Sequence, residues 1–350
     1  MVVKALRRVV TLASVLLACL SGARAQDGDV EAFYRGKTIT FLIGTAPGAG
    51  YDIVGRAISA HLSRFIPSQP AIIVQNMPGA GSLTMMNTLY NRAPRDGTTF
   101  GLPLNGVLLE NQLQIYARGG GTVGFDVAKM GWIGSPIQEP QIMWSWHSAP
   151  VRRFEDLRGP QPWTFGATSP TADNYLTPML AKRLLGANLK LISGYQGVSN
   201  IFVAAERGEI VGNSTPLASL TLGKREELAR GDIRPLAQFS SRRMNQLPDV
   251  PTGIELAATE EAKRLLELWA VKFKAAYPLG LPPGVPAERL EALRRAFRAL
   301  MVDPEFRATA QKIQLELDPI DGADIMALLE SLAKANEADI QRLKEALREE

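Results

Sequence analysis

Two glycine loops constrain this chain more than any other feature. Pro47-Gly48-Ala49-Gly50-Tyr51-Asp52 closes the apolar run Ile39 to Ile43, and Asn76-Met77-Pro78-Gly79-Ala80-Gly81 closes Ile72 to Val74. Each loop then opens a stretch of helical periodicity, so each is expected where a strand hands over to a helix. At that edge of an open α/β sheet, helix N-termini present unpaired N–H groups and ligands bind. Two such loops side by side predict an anion-binding lip.

The surrounding pattern agrees. Strands are predicted at Thr38 to Ile43, Ala71 to Val74 and Thr98 to Leu102, with helices at Asp52 to Phe65 and Ser82 to Asn91 between them. Ile53, Val54, Ala57, Ile58, His61, Leu62 and Phe65 fall on one stripe of the first helix. This is a βαβαβ half with a parallel sheet. A looser region follows, from Asn105 to Met130, then apolar segments at Gly131 to Ile133 and Ile142 to His147. The βαβ pattern restarts at Trp163 to Ala167, with a Thr168-Ser169-Pro170-Thr171 loop, a helix to Leu185, a strand at Leu189 to Ile192 and the loop Gly194-Tyr195-Gln196-Gly197. A helix to Arg207 and the polar run Asn213-Ser214-Thr215 complete a second, smaller unit. Trp269 to Tyr277 reads as an extended return path, with proline-rich links at Leu247 to Thr252 and Leu281 to Pro286. Two helices are expected to finish the chain, the last from Ala323 to Leu347 lying on the first domain. The expectation is an α/β protein of two domains, each a mostly parallel sheet flanked by helices: signal peptide 1–25, domain 1 from 26–140, domain 2 from 141–269, and a return to domain 1 over 270–350.

The N-terminus reads as an export signal: Lys4, Arg7 and Arg8 precede the apolar run Val9 to Leu20, and Ala23-Arg24-Ala25 supplies an A-x-A cleavage site. The run is 12 residues, short of the roughly 20 that span a bilayer as a helix. A competing lipoprotein reading through Cys19 is weakened by Leu17, an awkward neighbour of a modified cysteine. Cleavage leaves 325 residues with 35 basic and 35 acidic side chains and no cysteine. A balanced charge gives no argument for nucleic acid or a membrane surface as partner. Without a thiol or disulfide, the core alone must hold the fold.

Enzyme signals are few. Gly119, Gly121 and Gly124 fit G-x-G-x-x-G, but no strand precedes them and no helix follows. Gly36-Lys37-Thr38 resembles the end of a phosphate loop, yet Glu31 stands where its first glycine belongs. His61 and His147 are the two histidines and have no metal-ligand spacing. No G-x-S-x-G or H-E-x-x-H occurs. The sequence therefore points to binding without catalysis, metal or cofactor. None of the glycine loops carries Lys or Arg, so an anion would be held by backbone N–H groups, hydroxyls and helix dipoles. Asp52 admits two roles: stabilising its helix start and neighbouring loop, or accepting a hydrogen bond from a ligand. Tyr51 and Tyr195 are either cleft walls or partly buried core residues.

The runs Lys37 to Thr40, Ala46 to Asp52 with Arg56, Val74 to Gly81 and Ala93-Pro94-Arg95-Asp96-Gly97-Thr98 resemble, in order and spacing, those of the Bug receptors, the extracytoplasmic solute-binding proteins of tripartite tricarboxylate transporters. Gly194-Tyr195-Gln196-Gly197 and Leu247 to Thr252 are similar to later motifs of that family, so the resemblance spans nearly the whole exported chain. It implies a periplasmic type II clamshell, expected to be a monomer, that closes over a small organic acid and delivers it to membrane permease subunits. It further implies that Ala46, Gly48, Ala49, Gly50, Asp52, Asn76, Gly79, Ala80 and Gly81 hold the ligand carboxylate, beside Tyr51. Thr168, Ser169, Thr171, Tyr195, Gln196 and Asn213 would select the remainder. Ala49 stands for a usual glycine and Gln196 for a common lysine, which leaves ligand identity open. Two alternatives stand beside this reading: a secreted α/β hydrolase using Ser169 or Ser214 on a carboxylate ester, and a carboxylate sensor subunit that signals to a membrane partner.

Overall fold

The computed structural model describes residues 28–221 and 223–348; the export signal expected over 1–25, with Cys19, lies outside the described residues. No helix among them is long and apolar enough to cross a membrane. β1 (Thr38–Ile43), α1 (Gly50–Leu62), β2 (Ala71–Asn76), α2 (Leu83–Asn91) and β3 (Thr99–Leu102) come first, then β4 (Gly131–Ser135) and β5 (Gln141–Trp146). β6 (Trp163–Gly166), α3 (Asp173–Leu185), β7 (Leu189–Ile192), α4 (Val198–Glu206), β8 (Gly212–Pro216) and β9 (Ile233–Phe239) form the middle. α5 (Glu260–Lys274), β10 (Leu279–Leu281), α6 (Ala287–Val302), α7 (Pro304–Lys312), β11 (Ile320–Asp321), α8 (Gly322–Ala333) and α9 (Glu337–Ala346) complete the order.

The strands make two sheets, ordered β11-β4-β10-β3-β1-β2 and β7-β6-β8-β5-β9. Both are mixed, where mostly parallel sheets were expected. β1 runs parallel to β2 and β3, but β10 is antiparallel to β3 and β4. β6 runs parallel to β7 and β8, while β5 is antiparallel to β8 and β9. The reason is topological. Parallel strands finish at the edge facing the other sheet, and a chain crossing from one sheet to the other enters at that edge, so β5 and β10 must run backwards.

Alternation decides which core each side chain joins. Ile39, Phe41 and Ile43 pack with α1, α6 and α7, whereas Leu42 joins Met85, Met86 and Trp132 on the opposite face. Phe41 sits in register with Phe100, their ring centroids 4.3 Å apart. In β5, Met143 faces the core of α3, α5 and α9, while Ile142, Trp144 and Trp146 face α4. All six residues of β5 are buried, as befits a strand covered on both faces.

Three expectations require correction. Trp269 to Tyr277 is not an extended path: α5 continues to Lys274 because Ala262, Leu265, Leu266, Trp269, Ala270 and Phe273 bury one helical stripe. The final helix is two helices, broken near Lys334 where Asn336 caps α9 through the Ala338 N–H. α8 lies on β4, but Ile340, Leu343 and Leu347 of the α9 region join the core under the second sheet. The proline-rich links do not join the sheets either. Gln238 Nε2 donates to the Leu247 and Val250 carbonyls, tying that link to β9, and Leu281 belongs to β10. The crossings are 136–140 and 275–278, which lie side by side: Ala276 N–H donates to Ile137 O at 3.3 Å, and Glu139 N–H to Phe273 O at 2.9 Å.

Candidate functional site

The strand ends and helix starts of both sheets border a cleft along these crossings. Its cavity of about 490 Å³ is lined from the first sheet's side by Tyr51, Ala80, Gly81, Asn105 and Tyr116, and from the second by Gln141, Ser169, Thr171, Ala172, Asp173 and Pro216. Glu139, Phe273, Ala276 and Tyr277, on or beside the crossings, form its floor. A second cavity of about 610 Å³ continues past Glu139 and Tyr277 and reaches Gly50.

The two glycine loops are joined by one network. Asp52, 3% exposed, accepts from the Gly48 N–H at 2.8 Å, from Asn76 Nδ2 at 2.8 Å and from Arg56 Nε at 2.9 Å. Arg56 also donates to Asn76 Oδ1, and Asn76 Nδ2 to Thr45 O. Burial pushes the Asp52 carboxyl up, but these donors outweigh it and hold it below the ordinary carboxylate range. Asp52 is thus the clasp of the lip, the structural role of the two it admitted.

The second loop is held in an uncommon conformation. Gly79, Ala80, Gly81 and Ser82 all have positive φ, of 138°, 46°, 63° and 75°. For Ala80 and Ser82 this costs energy. Ser82 is kept there by donating to Gly44 O at 3.0 Å and accepting from the Leu104 N–H at 3.1 Å. The Tyr116 ring lies so close over Gly81 that a Cβ would sit 2.4 Å from it. Tyr51 stacks on Tyr277 at 4.3 Å and donates to Ala276 O at 2.6 Å, tying the first loop to the crossing.

Helix starts differ in capping. α1, α2, α3 and α4 start at Ala49, Ser82, Ala172 and Gly197 without a side-chain cap, and α6, which begins after Pro286, lacks one too. By contrast Thr259, Asp303, Asp321 and Asn336 cap α5, α7, α8 and α9. The uncapped starts of α1 and α3 border the cavities, leaving N–H groups and helix-dipole charge for an anion, and the Ala80-Gly81 turn ahead of α2 lines the smaller one.

Of the residues expected at the site, Tyr51, Ala80, Gly81, Ser169 and Thr171 line the smaller cavity and Gly50 the larger. Ala46, Gly48, Ala49 and Gly79 lie in the loops behind, and Asp52 and Asn76 form the clasp. Thr168 donates from both N–H and Oγ1 to Asn174 Oδ1 and braces its loop. Tyr195 packs beside Gly166 and Gln196 is exposed, neither lining a cavity. Asn213 is fully buried in register with Trp144, on the face covered by α4. It lies away from the cleft because β8 turns that face toward its own core.

Several ionisable residues in or near the cleft escaped the sequence reading. Asp173 forms an ion pair with Lys272, whose side chain is 1% exposed and lies over the Trp269 ring. Burial lowers the Lys272 pKa against the pull of Asp173. Glu110, also buried, accepts the Tyr116 and Ala117 N–H groups, and its pKa is raised by burial. Glu139 is pushed up to about 7 by burial, with the Ala218 N–H drawing it back. The one signal for Glu139 in sequence was an acid between Pro136 and Pro140, with apolar strands on either side. His61 and His147 border neither cavity; His61 Nε2 meets Thr309 Oγ1 and its Nδ1 meets Arg64.

Fold and cleft define the class of architecture: a two-domain α/β clamshell, the fold seen in solved solute-binding proteins. Among solved structures, a TctC solute-binding protein from Polaromonas is similar with a TM-score of 0.66 at 16% identity, over 88% of this chain and 97% of that one. A Rhodopseudomonas palustris protein described with adipate is similar with a TM-score of 0.60 at 19% identity, over 89% and 97%. In sequence, the chain resembles a UPF0065 protein encoded in the tcbD-tcbE intergenic region of Pseudomonas sp. strain P51, 26% identical over 82% of this chain and 80% of that protein. The resemblance to the Bug and TctC receptors is thereby borne out. No protein-family model matches the chain.

Proposed function

We propose that this protein is a periplasmic solute receptor that captures a small organic carboxylate between its two lobes and presents it to the permease of a tripartite tricarboxylate transporter. The observation that carries the reading is the convergence of two uncapped helix starts, α1 from the first sheet and α3 from the second, on one cleft beside the Ala80-Gly81 turn. Such N–H groups hold a carboxylate without a lysine or arginine. The clasp through Asp52 presets the lip, and the lobes, taken as 26–140 with the return from 270 and 141–269, close about the paired crossings. The adipate described for the similar R. palustris protein supports an acid of this size.

Thermal unfolding against a panel of mono-, di- and tricarboxylates tests this. A ligand at one hundred times its dissociation constant adds about 2.7 kcal/mol of stability. A selective rise in melting temperature, abolished by Ser169→Trp, is the expected result. No shift with any acid, using folded and ligand-free protein, would overturn the assignment.

A further inference from the structure

The cleft has an amide-rich pole at the helix starts, but its floor carries the opposite polarity. Glu139 lies on the first crossing and borders both cavities. Its backbone is fixed by the N–H bond to Phe273 O. No Lys or Arg lines the smaller cavity. The nearby cations are already engaged: Lys272 with Asp173, and Arg242, at the rim of the larger cavity, with Asp318 at 3.2 Å. The remaining ionisable neighbours are Tyr51, Tyr116 and Tyr277, kept protonated by burial, and Glu316 with Asp318 beyond them. Among the described residues Glu139 therefore has no cationic partner.

We propose that Glu139 is the counter-ion for a ligand amine, so that the cleft takes a small carboxylate that also bears a protonated nitrogen, as an amino acid does. The inference rests on the carboxylate-receptor reading above and names the ligand's second group. Charge decides between ligand types. With Asp173 neutralised by Lys272, an ionised Glu139 leaves the cavity one negative charge. A zwitterion sets its ammonium against that charge and its carboxylate against the helix starts. A plain dicarboxylate brings two further negative charges and finds one amide pole and no side-chain cation. The raised pKa of Glu139 has the same origin: a carboxyl shielded from water, with a single backbone donor, is ionised at little cost once a cation arrives.

The test compares matched acids on the exported chain by calorimetry at pH 7.5: aspartate with succinate, glutamate with glutarate, and leucine with 4-methylpentanoate, with butylamine as an amine lacking the carboxylate. At least one amino acid is expected to bind ten or more times more tightly than its deaminated partner. Glu139→Gln should erase that ratio, weakening the amino acid while the deaminated acid, relieved of the like charge, binds no more weakly than before. A deaminated acid binding as tightly as its partner overturns the role of Glu139 and leaves the carboxylate reading intact. Butylamine binding with no acid bound, lost in Glu139→Gln, upholds the amine site and overturns the carboxylate reading. No binding of any probe overturns both. The wild-type ratio decides the matter even if the variant fails to fold.

Discussion

Single side chains set the lip and its charge. Removing the Asp52 carboxylate takes an acceptor from the Gly48 N–H and from Asn76 Nδ2, which keeps its bond to Thr45 O; both bonds are part-buried, so each is worth about 0.5–1.5 kcal/mol. Asp52→Ala should lower stability by that order in urea unfolding, with Arg56 contributing less because it is half exposed. The pH dependence has a definite sign. Asp52 has a depressed native pKa, so its stabilisation is present above its ordinary pKa and lost as pH falls through the lower native value. Glu139 behaves oppositely. Its native pKa of about 7 lies above the ordinary 4.5, so ionisation costs the ligand-free native state progressively between those values and fully above 7. A shift of that size corresponds to roughly 3 kcal/mol at most. Glu139→Gln should gain stability over wild type as pH rises from 4.5 to 8, measured by denaturant unfolding at both ends. A constant difference between the two proteins would refute the shift.

At the scale of elements, α9 and α5 are where the second sheet is most exposed to damage. Leu343 is 1% exposed in the core shared with Met143 and Phe165. Leu343→Ala is expected to cost about 2–5 kcal/mol in chemical denaturation, a large effect for the last helix of a chain. Lys272 makes a sharper test of α5. Lys272→Ala abandons Asp173 and should cost about 3–5 kcal/mol, whereas Lys272→Met, apolar and of similar length, should cost much less. Equal losses in both variants would mean that packing over Trp269, and not charge, dominates. The element boundaries that sequence predicted well, such as strand β7 at Leu189 to Ile192, are those with a clear local pattern between turn signals. α5 was misread at its C-terminal half because Trp269 to Tyr277 is apolar nearly throughout, and a short apolar run does not reveal its period.

For the whole molecule, the crossings are the natural axis of closure. Saturation with a bound acid should lower the radius of gyration in X-ray scattering, and Ser169→Trp should prevent the change. An unchanged radius with a saturating ligand would mean that the cleft binds without closing. Much of this architecture was readable in the chain: the paired glycine loops at strand ends and the restart of the βαβ pattern after Phe154. These are local features, fixed by backbone conformation and by hydrophobic period. The partners of Asp52, the burial of Asn213, the crossing of α9 to the second sheet and the unpaired acid at Glu139 were not readable. These depend on residues far apart in the chain meeting in space, as Asn76 meets Asp52 across 24 positions and Lys272 meets Asp173 across 99. Sequence determined where the chain turns and which faces it must bury; only the tertiary structure decided which charges are neutralised in the cleft, because desolvation and pairing exist only after the lobes have come together.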